Sequence, residues 1–251
     1  MTSRRRIIVL IVAVVAIALV VVASVLMSQD QDQPDSSAAT TPTTPAKASE
    51  YGFPISSIRL AEGGTKTAPD GKTPIGYTAS CEDAVRAAVN YVAADSYSPE
   101  NWKNQKATLQ QITTSGEYNT KYINATASLV SDNSASAESS LISPAIYKVE
   151  NCEPGKSANI AVALEIDDPG LELDGKTIGP SIEYRTQNQA LVWEGNDWKL
   201  DLSPTPVRAE SQLIIADGEK APESPNDLLN QIFVDSQGNP LSRDGWMELA
   251  R

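Results

Sequence analysis

Cys81 and Cys152 are the two most reactive side chains in this sequence, and no histidine accompanies them. Without histidine, Ser-His-Asp and Cys-His catalysis are excluded, as is any histidine-ligated metal site. The usual general base at neutral pH is also missing. The cysteines lack the CxxC spacing of a redox pair. In an oxidising compartment an even count reads as a disulfide, with two free thiols as the alternative.

The densest acidic group is Asp167, Asp168, Glu172 and Asp174. Carboxylates can ligate calcium, but this spacing does not follow an EF-hand loop, and a solvated loop between strands is expected. Gly63-Gly64-Thr65-Lys66 lacks the spacing of a phosphate loop and a strand before it. Asn124-Ala125-Thr126 fits the N-glycosylation pattern but falls in a predicted helix. With 32 acidic residues, carboxylate pairs always occur, and none stands out as an acid–base couple. The sequence therefore nominates no catalytic, cofactor-binding or metal-ligating residue. It nominates six aromatic side chains for a pocket or contact surface: Trp102, Tyr118, Tyr122, Tyr147, Trp193 and Trp198. Core packing is the competing explanation for all six.

The elements that must position these residues begin at the front of the chain. Arg4, Arg5 and Arg6 precede an uncharged apolar run from Ile7 to Met27, long enough for a helix to cross a bilayer core. Positive charge stays inside, so residues 1–6 are expected in the cytoplasm and everything after the span outside. The run exceeds a signal peptide's apolar core, and Val22-Ala23-Ser24 is a poor cleavage site, so a retained single-pass anchor is expected. Residues 28–75 read as an extracellular stalk and lead-in, Pro/Thr-rich and disordered at first. Residues 76–203 read as the outer domain and 204–251 as a C-terminal extension.

The net charge is −12; without the three leading arginines, 17 basic side chains face 32 acidic ones. Such an exterior repels phosphate backbones, so direct nucleic-acid binding is not expected.

Within the domain, Ser80 with Asp83 resembles a capping box, and Ala84, Val85, Ala88, Val89 and Val92 share one helical face. Ser98-Pro99-Glu100 predicts a second helix start, and residues 116–130 a third helix. The period then changes to two. Tyr147 and Val149 alternate, as do Ile160, Val162, Leu164 and Ile166. Residues 182–193 predict a long strand or a pair. Glu194-Gly195-Asn196-Asp197 reads as a turn into a strand carrying Trp198, Leu200 and Leu202. Residues 226–233 predict a short helix, and Trp246 is expected to dock on its own domain. Helices followed by antiparallel strands argue an α+β fold, with three helices packed on a curved antiparallel sheet.

Pro74-Ile75-Gly76-Tyr77-Thr78, the Ala-rich stretch 84–92, Trp193 and Trp198 before Lys199-Leu200, and Gly245-Trp246 together carry a family likeness over residues 72–251. The chain resembles a group of actinobacterial single-pass membrane proteins linked to integrative conjugative elements. The element order also resembles the nuclear transport factor 2-like fold, found in assembly factors of type IV secretion and conjugation systems. It occurs too in membrane proteins associated with mycobacterial lipid-import complexes. The tail is longer and more acidic than that likeness implies, and it does not assign the cysteines.

The resemblance implies a non-enzymatic, anchored component of a cell-surface conjugation or secretion assembly, with other assembly proteins as partners and no cofactor. Self-association is left open. The alternative is an extracellular module binding a lipid or cell-wall fragment, for example as an accessory of a lipid-import system. A third reading, a dehydratase or isomerase, would need a buried carboxylate and a tyrosine.

Overall fold

The computed structural model describes residues 48–133, 135–173, 176–203, 212–235 and 237–251. The expected cytoplasmic terminus, anchor and residues 28–47 of the stalk lie outside these residues. Among the described residues no helix is long and apolar enough to cross a membrane. Lys47–Arg251 forms one compact unit.

The fold is α+β. Its main sheet has eight strands: β1 (Ile55–Arg59), β4 (Glu138–Leu141), β5 (Ile146–Glu153), β6 (Ser157–Asp168), β9 (Ser181–Glu194), β10 (Asp197–Leu200), β11 (Gln212–Ala216) and β12 (Trp246–Ala250). The path runs β1-β12-β5-β6-β9-β10, with β4 on β6 and β11 on β9. Every pairing in it is antiparallel except β1 with β12. Two small hairpins stand apart, β2 (Lys66–Thr67) with β3 (Pro74–Ile75) and β7 (Leu171–Leu173) with β8 (Lys176–Ile178). The helices are α1 (Cys81–Val92), α2 (Trp102–Ile112), α3 (Glu117–Asn133) and α4 (Pro225–Ile232).

The start of α1 follows from its sequence. Ser80 caps it by accepting the Asp83 N–H. The Asp83 carboxylate accepts from the Thr78 N–H at 2.8 Å and the Thr78 hydroxyl at 2.6 Å. The buried face is wider than the predicted stripe, because Ala87, Asn90 and Tyr91 are also enclosed. Ala84, Ala87 and Ala88 are fully buried, and their small side chains let the helix lie close to the sheet. Helix α2 begins later than Ser98-Pro99-Glu100 predicts. The Asn101 carboxamide accepts the Ser98 N–H and closes a turn ahead of the helix. The turn after β9 is a two-residue hairpin with φ of 63° at Gly195 and 62° at Asn196. Both positive φ angles match a turn whose twist suits the strands.

The predicted alternation in β6 is only half of its burial. Ile160, Val162 and Leu164 face the first core with α1 and α2. Ala161 and Ala163 face a second core with Tyr184, Leu228, Leu229, Ile232, Phe233 and Trp246. Helix α4 and the segment after it cover that second face, so β6 is enclosed on both sides. The folded unit thus reaches beyond 76–203. Strand β1 and the β2–β3 hairpin come from the predicted lead-in. Strands β11 and β12 and helix α4 come from the predicted extension, and β12 lies inside the sheet between β1 and β5. The sheet's edge is parallel where β1 meets β12, a departure from the all-antiparallel expectation.

The Asp197 carboxylate ties these layers together. It accepts from the N–H groups of Gly76 (2.8 Å), Tyr77 (2.9 Å) and Trp198 (3.0 Å). Removing it orphans three donors in a buried setting. Asp197→Ala is expected to cost about 3–5 kcal/mol in denaturant titration, and Asp197→Asn less, since an amide keeps one acceptor oxygen. Cys81 and Cys152 are joined in a disulfide, with Cα atoms 5.9 Å apart and a sequence separation of 71. Replacing both by serine is expected to lower stability by about 4 kcal/mol, read in the same titration under oxidising conditions.

Candidate functional site

The six nominated aromatics are placed differently from one another. Trp198 is fully buried; its indole N–H donates to the Thr78 carbonyl at 2.9 Å, and its own carbonyl accepts from the Tyr91 hydroxyl at 3.0 Å. Tyr147 is also core. Trp193 pairs with Trp198 across the hairpin, rings edge to face with centroids 5.4 Å apart. Trp102 and Tyr122 pack half-buried on the first core. Tyr118 is exposed. Trp193 and Trp198 meet each other.

The predicted acidic loop is also placed differently. Asp167 and Asp168 end β6, and Glu172 lies in β7. Asp174 lies outside the described residues. Among the described residues no group of three His, Cys, Asp or Glu could hold a metal ion.

Two polar arrangements escape the sequence reading. The first is built on Asp95, in the single turn (Ala93–Asp95) that follows α1. The Tyr122 hydroxyl from α3 donates to it at 2.8 Å. Burial pushes the Asp95 carboxyl up to about 6, against the opposing pull of Tyr122 and of Arg185 on β9. Burial and Asp95 together hold the Tyr122 hydroxyl well above its usual range. Burial, with Asp168 and Asp95, pushes Tyr97 up to about 12. A half-buried carboxylate and a tyrosine thus meet, and they are hydrogen-bonded to each other.

The second is an open cleft of about 550 Å³ at the end of β12, between the last turn of α1 and the β4–β5 connection. Leu60, Val89, Val92, Leu141 and Pro144 supply apolar walls, and Glu50, Tyr51, Glu248 and Arg251 the polar groups. None of the six aromatics lines it, and neither does Asp95. Glu248 is only 4% exposed. Its Oε1 lies 3.7 Å from the Arg251 guanidinium, and its Oε2 has no hydrogen-bond partner among the described residues. Arg251 reaches instead to Glu50 at 3.1 Å. The signal for Glu248 was present in Trp246-Met247-Glu248-Leu249-Ala250. Alternation puts this acid on the same strand face as a buried tryptophan. Asp95 carried a weaker signal, an acid directly after a continuous apolar helix face.

The Asp95 pair gives a pH dependence. The folded state holds this proton more tightly than an unfolded chain, whose aspartate titrates near 4. Folding therefore takes up a proton between about pH 4 and 6, and this contribution to stability falls as pH rises through that window. Asp95→Asn keeps an acceptor for Tyr122 and removes the charge. It is expected to raise the melting temperature at pH 7.5 and to change it little at pH 4. A lowered melting temperature at pH 7.5 would count against this account.

The profile of one family, a domain of unknown function (DUF8175), matches residues 23–218. No curated protein and no solved structure matches the chain.

Proposed function

The chain belongs to the DUF8175 family, and we propose that it is a non-enzymatic, membrane-anchored component of a cell-surface conjugation or secretion assembly. Its folded domain would stand outside the membrane, held by the apolar run Ile7–Met27. One observation carries most of the reading. The sheet packs against an apolar core on each face, while an open cleft of mixed polarity lies at the end of β12, between α1 and the β4–β5 connection. Such a body offers an outer surface to partners and keeps Tyr147 and Trp198 for packing. The Cys81–Cys152 disulfide agrees with an oxidising exterior. Three helices on a curled sheet also suit the nuclear transport factor 2-like likeness; α4 on the opposite face and the parallel β1–β12 edge are departures from it.

Anchoring favours this role physically. A tether concentrates the domain near its partners, so contacts weak in solution suffice at the membrane. Asp95 and Tyr122 are the residue types a dehydratase or isomerase would use, but Asp95 does not line the described cleft. A second reading, a module for a lipid or cell-wall fragment, is favoured by the cleft's apolar walls.

Deleting residues 48–251 while keeping the anchor is expected to abolish conjugative transfer or secretion by the host cell. Normal transfer in that strain would sink the assembly reading. Cross-linking in intact cells separates it from the alternative. A channel subunit or motor ATPase recovered with the protein supports the assembly, and a co-purifying lipid or wall fragment supports the module.

A further inference from the structure

We propose that the helix-facing side of the sheet carries a sugar-binding site, in which Asp95, Tyr97, Tyr122 and Arg185 hold one uncharged ring of a glycan over Ile166. The inference goes beyond the assembly reading and does not rest on it.

Strand register fixes the place. The Ser96 hydroxyl accepts from the Ser139 N–H at 2.9 Å, which seats the turn after α1 on β4. Ser139 pairs with Ile166 on β6, and Ile166 with Glu183 on β9. Residues paired across antiparallel strands share a face, so these three form one row, and Ile166 packs on the first core with the helices. Two strand spacings, about 10 Å, separate the ends of the row. Asp95 and Tyr97 flank Ser96 at one end. Arg185, which pairs with Leu164 of the first core, stands beside Glu183 at the other. Ile166 floors the gap between them. It is only half-buried, as are Asp95, Tyr97, Tyr122 and Arg185, so solvent reaches the place.

The groups around this gap have hydrogen-bonding capacity left over. Arg185 gives three N–H bonds, to Glu183 and Gln187, and a guanidinium has five. One Asp95 oxygen accepts from Tyr122. The other has no partner among the described residues, and neither has the Tyr97 hydroxyl. Arg185 is near enough to pull on Asp95 and Tyr122, yet its ion pair is with Glu183.

A sugar suits this set. A hydroxyl both donates and accepts, so one ring can bridge a carboxylate oxygen and a guanidinium N–H that do not meet. Its C–H face can rest on Ile166. An anionic ligand would meet Asp95 and Asp168, whose charges already act on Tyr97. A cationic one would compete with Arg185.

The test uses the full chain in nanodiscs of zwitterionic lipid, with saturation-transfer NMR as readout. The probes are chitotriose, maltotriose and mannotriose. At least one is expected to bind, and Arg185→Gln to weaken it about tenfold or more. Tyr97→Phe removes a hydroxyl that the described fold leaves unpaired, so it keeps the test alive if Arg185→Gln fails to fold. It is expected to weaken binding several-fold with the melting temperature unchanged. Leu60→Ser, in the cleft at the end of β12, is expected to leave the affinity as it was. Failure of all three probes, unchanged affinity in either site variant, or loss of binding in Leu60→Ser would overturn the proposal. So would tighter binding of the cationic, de-acetylated form of chitotriose. A chain that ignores these sugars can still be required for transfer, so this inference and the assembly reading fail separately.

Discussion

One carboxylate sets the geometry on which the helical layer depends. Asp197 sits at the first position of β10 and holds the backbone of Gly76 and Tyr77, more than a hundred residues earlier. Gly76 has φ of 77°, and a Cβ there would come within 2.6 Å of the Thr65 hydroxyl. The segment can therefore take this path only with glycine. From there the constraint passes along the chain. The Trp198 indole holds Thr78, Thr78 holds Asp83, and Ser80 caps α1. The disulfide at Cys81 fixes the same helix end to β5. The first turn of α1 is thus located by the hairpin, by the sheet and by its own cap at once.

The second organising fact is that the sheet has no free face along the middle of β6, residues 160–164. A sheet buried on one side alternates apolar and polar residues, and one buried on both does not. In β6 the outer-facing positions are Ala161 and Ala163, small enough for Leu229 and Ile232 of α4 to pack nearby. Phe53, Phe233 and Trp246 extend this second core, and the Arg243 guanidinium lies over the Phe53 and Phe233 rings at 5.9 and 5.1 Å. The last part of the sequence is therefore a layer of the fold.

What was legible in the sequence was local. The Ser80 cap, the Gly195-Asn196 turn and the alternation in β9 and β10 each depend on residues a few positions apart. Phe53 and Ile58 were hard to read as core because glycine and proline interrupt their surroundings and leave no period. The place of β12 was hidden for another reason. Its partners are Ile55 on one side and Ile146 on the other, and no local pattern announces pairing at such separation. The cleft shares that origin, since it gathers Leu60, Val89, Leu141 and Glu248 from four distant stretches. Of the aromatic residues that drew attention for their size, Tyr147 and Trp198 are core, Trp102, Tyr122 and Trp193 are half-buried, and Tyr118 is exposed.

The parallel contact of β1 with β12 has a mechanical consequence. Whatever pulls on the chain ahead of Ala48 meets first the Ala48–Pro54 bridge and then the start of β1. Strands lying side by side and pulled along their length share that load over several hydrogen bonds at once. A hairpin peeled from its end breaks them singly. Phe53 and Ile58, buried on either side of the sheet, would have to slide out together with β1. Resistance to such a pull is governed by the rate of unfolding rather than by equilibrium stability. The place where the chain enters the domain is in this sense built as a shear clamp.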